Sequence, residues 1–387
     1  RVVIGTRSAV FAPLKNLGLI ILDEEQEHSY KSENNPRYHA AEVARWRGFK
    51  SGALVLLGSA TPSIESMYRA KTGEYSLFTL HERFGGRALP TVQIVDMRRE
   101  MENGNATSIS YPLQDAIGKA AEEKKQSILF LNRRGASRAL VCVSCGESPE
   151  CPRCSARLTF HSANNRLMCH YCGHSVPAID RCPTCGGHVK QVGTGTQKIQ
   201  QELLELFPGM QVERMDTDTV NAVNTHEKIL DRFSGENIPV LVGTQMVAKG
   251  LNLPNVTLVG VLDGDLSLYS DSYRAAETTF NMLTQVVGRA GRGETSGTAV
   301  IQTLVPEHKV ITLAAKQDYN SFYELEIGLR QVQNLPPFGD LVHLTITGED
   351  EAKVLRGGAK LASSLLACGK EPAYKESILS VLGPAPC

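Results

Sequence analysis

Eight of the ten cysteines form four C-x-x-C pairs within positions 142–185. Two such pairs can complete the tetrahedral set of sulfur ligands that Zn²⁺ prefers in structural sites. The segment around them contains many Pro and Gly residues and few large apolar ones, so it is expected to fold around metal rather than around a side-chain core. The spacing therefore predicts two zinc ions per chain, with the ligands Cys142, Cys145, Cys151, Cys154, Cys169, Cys172, Cys182 and Cys185.

The four C-x-x-C pairs can share two metals in three ways. In the nested arrangement, the two inner pairs share one metal across a 14-residue gap that has the length of a short hairpin, and the outer pairs close over this hairpin. The nested path does not cross itself, and we favour it over sequential pairing. It assigns Cys142, Cys145, Cys182 and Cys185 to zinc 1, and Cys151, Cys154, Cys169 and Cys172 to zinc 2.

The nearby histidines and other uses of cysteine do not change the zinc prediction. Four histidines are expected at the surface or beside the ligands, because the thiolates already complete both sites: His161, His170, His174 and His188. Disulfides form in oxidising compartments, and the 387-residue sequence shows no secretory or transmembrane segment. A redox-active pair would account for two cysteines rather than eight. The cysteines therefore favour zinc in a reducing cytosol.

Two carboxylates directly follow an apolar stretch. Asp23 and Glu24 come after Leu17–Leu22, a buried-strand pattern. At the carboxyl end of a parallel strand, adjacent carboxylates can hold a Mg²⁺-nucleotide and orient a water molecule. Acidic residues also commonly solvate a strand end, so the pair alone is weak evidence. The next apolar strand, over Ala53–Leu57, ends in the small hydroxyl-rich sequence GSATPS at 58–63, which is expected at the same sheet edge.

Two arginines follow a predicted helix. Arg289 and Arg292 come after Ala275–Val287 and are set among glycines. Guanidinium groups at this spacing suit the stabilisation of charge on a γ-phosphate. The alternative is a basic C-terminus that complements the helix dipole. It does not account for Gln285 and the small residues that accompany the arginines.

The net charge of the chain argues against a broad basic surface for binding nucleic acid. Lys plus Arg and Asp plus Glu are equal at 41 each, so no overall basic field indicates a nucleic-acid partner. Residues 138–190 carry a formal charge of +3, and two Zn(Cys)₄ centres would lower this to about −1. Any contact of the cysteine segment with nucleic acid must therefore be local.

Short apolar strands alternate with amphipathic helices on both sides of the cysteines, which predicts an α/β fold with parallel sheets. Residues 84–105 are polar and are expected to be a linker with a strand-like Val92–Val95. Leu341–Thr347 alternates like an antiparallel strand and precedes a predicted helix over Glu351–Leu366. Further strands are expected at Ser127–Leu131, Gln211–Met215, Val240–Val242, Thr257–Leu262 and Thr298–Thr303.

Taken in order, the motifs resemble those of the superfamily-2 helicases, and in particular the bacterial replication-restart (primosomal) DNA helicases. The resemblance covers essentially the whole chain, and the double-zinc insertion distinguishes this family from other helicases. The matching segments, besides the cysteine pairs, are GTRSA at 5–9, DEEQ at 23–26, GSATPS at 58–63, FLNRRG at 130–135, GTGT at 193–196, GTQMVAKG at 243–250, QVVGRAGR at 285–292 and LPPF at 335–338.

The resemblance implies two RecA-like lobes with ATP bound between them. The domains would then be a partial first lobe at 1–95, a second lobe at 96–139 and 190–305, a two-zinc insertion at 140–189, a linker helix with the LPPF segment at 306–339, and the start of a C-terminal α+β domain at 340–387. The sequence begins at Arg1 without Met, and we interpret it as an internal piece of a longer protein.

Residue roles follow from the same resemblance. Asp23 would hold Mg²⁺, Glu24 would activate the attacking water, and Gln285, Arg289 and Arg292 would reach ATP from the second lobe. Gly250 would also contact the nucleotide, and Thr61 would help couple the lobes. The implied DNA contacts are Thr6, Arg7, Thr244, Gln245 and Lys249.

The implied activity is ATP-dependent 3′→5′ unwinding at stalled replication forks, followed by primosome assembly. Its partners would be forked and single-stranded DNA, other primosome proteins and single-stranded DNA-binding protein, for a monomer in the bacterial cytoplasm without membrane attachment. The alternative is a non-catalytic zinc-binding adaptor for DNA or protein.

Two departures from the family pattern bear on these expectations. Gln26 stands where the family usually has His, which removes a residue that can carry charge. No G-x-x-x-x-G-K-[ST] phosphate loop occurs in the sequence. By itself, therefore, the chain is expected not to hydrolyse ATP, and its first lobe is expected to be poorly stable alone.

Overall fold

A computed structural model describes residues 1–80, 89–132, 139–154, 156–161, 164–191, 195–215, 225–244, 253–291, 297–374 and 380–385. The chain forms two compact units. The first comprises Arg1–His81 with Tyr323–Asp340, and the second comprises Glu82–Phe322 with Leu341–Cys387.

The described elements follow the predicted alternation of strands and helices. The strands are β1 (Leu19–Asp23), β2 (Leu54–Gly58), β3 (Thr91–Asp96), β4 (Gln126–Phe130), β5 (Leu140–Cys142), β6 (Thr159–His161), β7 (Arg166–Met168), β8 (Ser175–Pro177), β9 (Val189–Gln191), β10 (Val212–Met215), β11 (Val240–Gly243), β12 (Val256–Val261) and β13 (Thr298–Thr303). The helices are α1 (Ala40–Ser51), α2 (Ile64–Lys71), α3 (Met97–Glu102), α4 (Tyr111–Glu122), α5 (Thr196–Leu206), α6 (Thr225–Gly235), α7 (Ala275–Val287), α8 (Lys309–Ala315), α9 (Tyr319–Val332) and α10 (Glu351–Cys368).

The first unit is built on a parallel pair of strands, β1 and β2, whose register places Asp23 opposite Gly58. One face of this pair is covered by α1, with Leu22 and Ala44 in the small core. On the other face, Ile21 is 60% exposed and Leu54 is 65% exposed. The two strands therefore have an apolar face that nothing in the described part of this unit covers.

The end of α9 belongs to the first unit and is fixed there by a buried cation. Arg330 is 1% exposed, and its guanidinium lies 2.9 Å from Glu326 and 3.3 Å from Glu65 of α2. A buried guanidinium needs such partners, because desolvation of an unpaired charge is costly. Beyond the helix, Phe338 of the LPPF segment packs edge-to-face on Tyr68, with ring centroids 5.1 Å apart.

The second unit contains a six-stranded parallel sheet with the order β10-β11-β4-β12-β13-β3. Its central strand β4 is buried along its whole length, as expected for a parallel strand covered on both faces. Helices α4 and α5 pack on the six-stranded sheet, and their residues Leu113, Ile117 and Leu203 lie in its core. The predicted α/β class with parallel sheets is confirmed.

Two sequence predictions differ from the structure. Val92–Val95 lies in a strand as expected, but this strand, β3, pairs with β13 at the edge of the six-stranded sheet instead of lying in a linker. The predicted boundary at residue 95 thus falls inside a strand of the second unit. Leu341–Thr347 is not a strand, because no strand among the described residues pairs with it. The helix predicted after it is present as α10.

The cysteine segment forms two small antiparallel sheets between β4 and α5. The three-stranded sheet β6-β7-β8 contains the predicted hairpin, and β5 pairs with β9 at the two ends of the segment. Among the described residues, no helix is long and apolar enough to cross a membrane.

Candidate zinc centres and motor residues

The eight cysteine sulfurs are gathered into two groups of four in the nested arrangement. The outer group is Cys142, Cys145, Cys182 and Cys185, and the inner group is Cys151, Cys154, Cys169 and Cys172. In each group, all sulfurs lie within 4.8 Å of one another. All eight cysteines are free thiols.

The sulfur spacing fits a zinc tetrahedron. The closest Sγ–Sγ distances are 3.4–3.7 Å in the outer group and 3.4–3.9 Å in the inner group. Four sulfurs placed about 2.3 Å from a central Zn²⁺ are about 3.8 Å apart. A disulfide would bring two sulfurs to about 2.05 Å. Each group can therefore accept one Zn²⁺ with little rearrangement.

The same backbone turn presents each pair of cysteines. In all four turns, the N–H of the first cysteine donates to the carbonyl five residues later, at 2.7–2.8 Å. The residue after the second cysteine has a φ of 76° at Gly146, 72° at Gly173 and 73° at Gly186. Glycine adopts this left-handed conformation without a Cβ penalty. The sequence signal for these turns is C-x-x-C-G, which occurs in three of the four pairs.

The backbone turns also shift the pKa values of the cysteine thiols. Burial acts to raise the pKa of Cys182, but the backbone N–H groups of Cys185 and Thr184 donate to its sulfur and lower the pKa to about 6. Burial is opposed in the same way at Cys151, where backbone N–H donors of its own turn lower the pKa to about 7. At Cys154, burial dominates and raises the pKa to about 12. Four clustered thiols therefore need a cation before all of them can ionise.

The first turn is attached to the second unit's main sheet. The Tyr269 hydroxyl lies 3.2 Å from the carbonyl oxygen of Gly146 and 3.2 Å from Oδ2 of Asp265. The same Oδ2 accepts the backbone N–H of Leu304 at 2.8 Å. Burial and the Asp265 carboxylate raise the pKa of Tyr269, so its hydroxyl remains a donor at neutral pH. This buried network joins the outer cysteine group to the strand ends of the sheet.

Replacing Tyr269 with Phe is expected to lower the free energy of unfolding by about 1–2 kcal/mol, because buried acceptors lose their shared donor. Both cysteine groups should still retain zinc, since no thiol is changed. Urea unfolding with zinc analysis measures both quantities. The control is Tyr111→Phe, at an exposed tyrosine of α4. Equal stability of the two variants would contradict a structural role for the Tyr269 hydroxyl.

In the first unit, the predicted carboxylates lie at the end of β1, as expected. Glu24 has a φ of 50°, and its backbone N–H donates to Oδ1 of Asp23 at 3.0 Å. Gln26 donates through Nε2 to Oε2 of Glu24 at 2.8 Å, and its Oε1 accepts from the hydroxyl of Ser59 at 2.5 Å. The DEEQ segment is thereby connected to GSATPS. Gln26 makes these bonds as a neutral amide.

Glu25, for which the sequence pattern predicted no role, stabilises the start of α2. Its Oε1 accepts the backbone N–H of Ser63 at 2.6 Å, and its Oε2 accepts the hydroxyl of Ser66 at 3.0 Å. Glu25 is buried, so its carboxylate requires these donors. No local sequence signal indicates this contact, because Glu25 and Ser63 are 38 positions apart.

The predicted DNA-contact residues of the first unit lie before β1. Arg7 donates from Nη1 to the carbonyl oxygens of Ser29 and Lys31 at 3.1 and 2.9 Å. Thr6 directly precedes a short 3-10 helix over Arg7–Phe11, and its Oγ1 lies 3.5 Å from the hydroxyl of Ser8. The Arg7 guanidinium thus supports the loop after DEEQ.

The predicted motor residues of the second unit are described only in part. Gln285 lies in the last turn of α7, Arg289 follows that helix, and Thr244 is buried after β11. Phe280 of α7 stacks on Phe322 with ring centroids 4.1 Å apart, which fixes the helix. Four predicted site residues lie outside the described residues: Gln245, Lys249, Gly250 and Arg292.

Comparison with known families agrees with this architecture. Residues 188–294 match the helicase conserved C-terminal domain, and residues 151–177 match the PriA DNA helicase Cys-rich region (CRR) domain. The fold and the cysteine groups therefore define a helicase-type second lobe that carries a Cys-rich zinc-ribbon insertion.

Curated relatives place the chain within one family. It is 45% identical to the replication restart protein PriA of Bacillus subtilis and 42% identical to that of Synechocystis, over 100% of this chain and 47% of each relative. It is 40% identical to the Treponema pallidum protein over 100% of this chain and 57% of the relative. The chain belongs to the PriA replication restart protein family and spans about half the length of the curated relatives it matches. Among solved structures, yeast Dbp5 bound to RNA and ADP BeF3 has a TM-score of 0.41 and 13% identity, over 83% of this chain and 64% of that one.

Proposed function

We propose that the chain is part of an ATP-dependent DNA helicase that acts in replication restart. The observation that supports this most strongly is the double Cys₄ module attached to a parallel-sheet unit of helicase type, in a chain 45% identical to a replication restart protein. Unwinding in the 3′→5′ direction, recognition of stalled forks and the start of primosome assembly are the specific activities we assign to the whole protein.

The proposed ATPase chemistry uses residues of several helicase motifs. Asp23 would hold Mg²⁺ and Glu24 would activate the attacking water, with its carboxylate oriented by Gln26. Gln285, Arg289 and Arg292 would stabilise the charge that develops on the γ-phosphate, and Gly250 would contact the nucleotide. The bond between Gln26 and Ser59 supports coupling of this carboxylate to GSATPS.

The proposed DNA contacts are sequence-independent. Thr6, Arg7, Thr244, Gln245 and Lys249 are polar or cationic side chains of the kind that bind the phosphate backbone. Two zinc ions in the Cys₄ groups would leave the module close to neutral. We therefore assign it a structural role, for strand separation or for docking of other primosome proteins and single-stranded DNA-binding protein. The protein would act as a monomer in the bacterial cytoplasm.

The test uses the full-length protein and labelled forked DNA. We expect strand release only with ATP and Mg²⁺, and only when the single-stranded arm permits 3′→5′ movement. Binding of the fork without DNA-stimulated ATP turnover would reject the proposal in favour of the zinc-binding adaptor.

A further inference from the structure

Two histidines of the cysteine segment face each other outside the two thiol groups. His161 ends β6, and His170 lies between Cys169 and Cys172 of the inner group. Their Nε2 atoms are 3.2 Å apart, with ring centroids at 5.1 Å and ring planes inclined by 54°. Both rings are half-buried, so solvent reaches the pair.

The spacing of the two nitrogens suits a shared metal ion. Two imidazole nitrogens that each lie about 2.0–2.1 Å from one Zn²⁺ at a tetrahedral angle are about 3.3 Å apart. The alternative for His161 and His170 is a hydrogen bond between two neutral rings. In both arrangements the two Nε2 atoms face each other.

Neighbouring charge favours a cation at the pair. A Zn²⁺ bound by the four inner thiolates would leave that centre with a charge of −2, and His170 lies within its turn. Arg166 lies opposite His161 in the β6–β7 register. Its guanidinium is engaged by the Ser175 hydroxyl at 2.7 Å and the Ser175 carbonyl oxygen at 3.1 Å.

We propose that His161 and His170 form a third metal site, which binds one divalent first-row cation through both Nε2 atoms. Imidazole ligands suit Ni²⁺, Cu²⁺ and Zn²⁺. Water would complete the coordination shell, so the site differs from the two closed Cys₄ centres in being open and exchangeable. A bound ion would connect β6 directly to the turn that presents Cys169 and Cys172.

The experiment measures Ni²⁺ binding to the full-length protein by equilibrium dialysis, with zinc counted in the same samples. Ni²⁺ is the probe because it binds imidazole without oxidising thiols. We expect one saturable Ni²⁺ per chain beside two retained Zn²⁺. His161→Gln should weaken Ni²⁺ binding by about 10-fold or more, since even supporting residues of metal ligands commonly contribute this much.

The double variant His161→Gln with His170→Gln should lose the Ni²⁺ site and keep both zinc ions. The matched control is His343→Gln, at an exposed histidine after the LPPF segment. If the double variant also loses zinc, the single His161→Gln variant tests the Ni²⁺ site by itself, because residue 161 lies outside the cysteine turns. Absence of saturable Ni²⁺ in the wild type, or equal binding in the wild type and His161→Gln, would overturn the proposal and leave a hydrogen-bonded histidine pair.

Discussion

Replacing Arg289 with Ala in the full-length protein is expected to lower DNA-stimulated ATP hydrolysis by about 10³-fold or more and to abolish unwinding. An arginine that stabilises transition-state charge on a γ-phosphate contributes about 10³–10⁵ to the rate of phosphoryl transfer. Lys in place of Arg289 should restore a small part of the rate, because it keeps the charge but loses the planar, bidentate donor set. Steady-state phosphate release in the presence of forked DNA measures each rate.

The control is Arg356→Ala, which removes a guanidinium from the exposed surface of α10 and should leave turnover unchanged. Arg289→Ala should retain zinc and bind forked DNA near normally, so that lost turnover is separated from misfolding. Unwinding at the wild-type rate by Arg289→Ala would show that this arginine does not serve the motor.

Replacing Cys169 with Ser is expected to remove one of two zinc ions and to unfold the hairpin of β6 and β7. The apolar cluster around the inner thiols is small, with Leu158 and Leu167 at its centre. The metal is therefore expected to supply much of its folding free energy, and apparent binding energies for structural Zn²⁺ are about 10–16 kcal/mol. Metal analysis counts the remaining zinc, and hydrogen exchange at the hairpin amides reports its unfolding.

The six-stranded sheet should survive this substitution, because its core residues form a separate cluster. Cys368→Ser is the matched control, since Cys368 is an exposed thiol at the end of α10 and belongs to neither group of four. Retention of two zinc ions and a protected hairpin in Cys169→Ser would mean that the inner group is not a zinc centre.

Local sequence patterns predicted helices and strands well where the pattern of buried residues lies within a short stretch of sequence. The helix at Ala275–Val287 has the predicted bounds, because its apolar positions repeat with helical spacing and glycine follows it. The hairpin between the inner cysteine pairs follows from the length of the gap. The parallel strands around it were found because fully buried strands are continuous apolar runs.

Long-range pairing was the part that local patterns could not supply. Val92–Val95 has a strand pattern, but only its hydrogen bonds to β13, about 200 residues later in the chain, place it in the second unit. Leu341–Thr347 shows that alternation alone is insufficient, because a strand also needs a partner and none pairs with this segment among the described residues. The bonds of Gln26 to Glu24 and Ser59 likewise depend on β1 and β2 being neighbours, which brings residues 33 positions apart into contact.

The antiparallel pairing of β5 with β9 has an evolutionary consequence. Val141 lies opposite Lys190, so the two ends of the cysteine segment are adjacent. A segment whose two ends are adjacent can be inserted into a host domain without moving the host's strands. The metal-binding part can therefore be regarded as a cassette, which could be gained, lengthened or exchanged during evolution while the order of the parallel strands stayed the same.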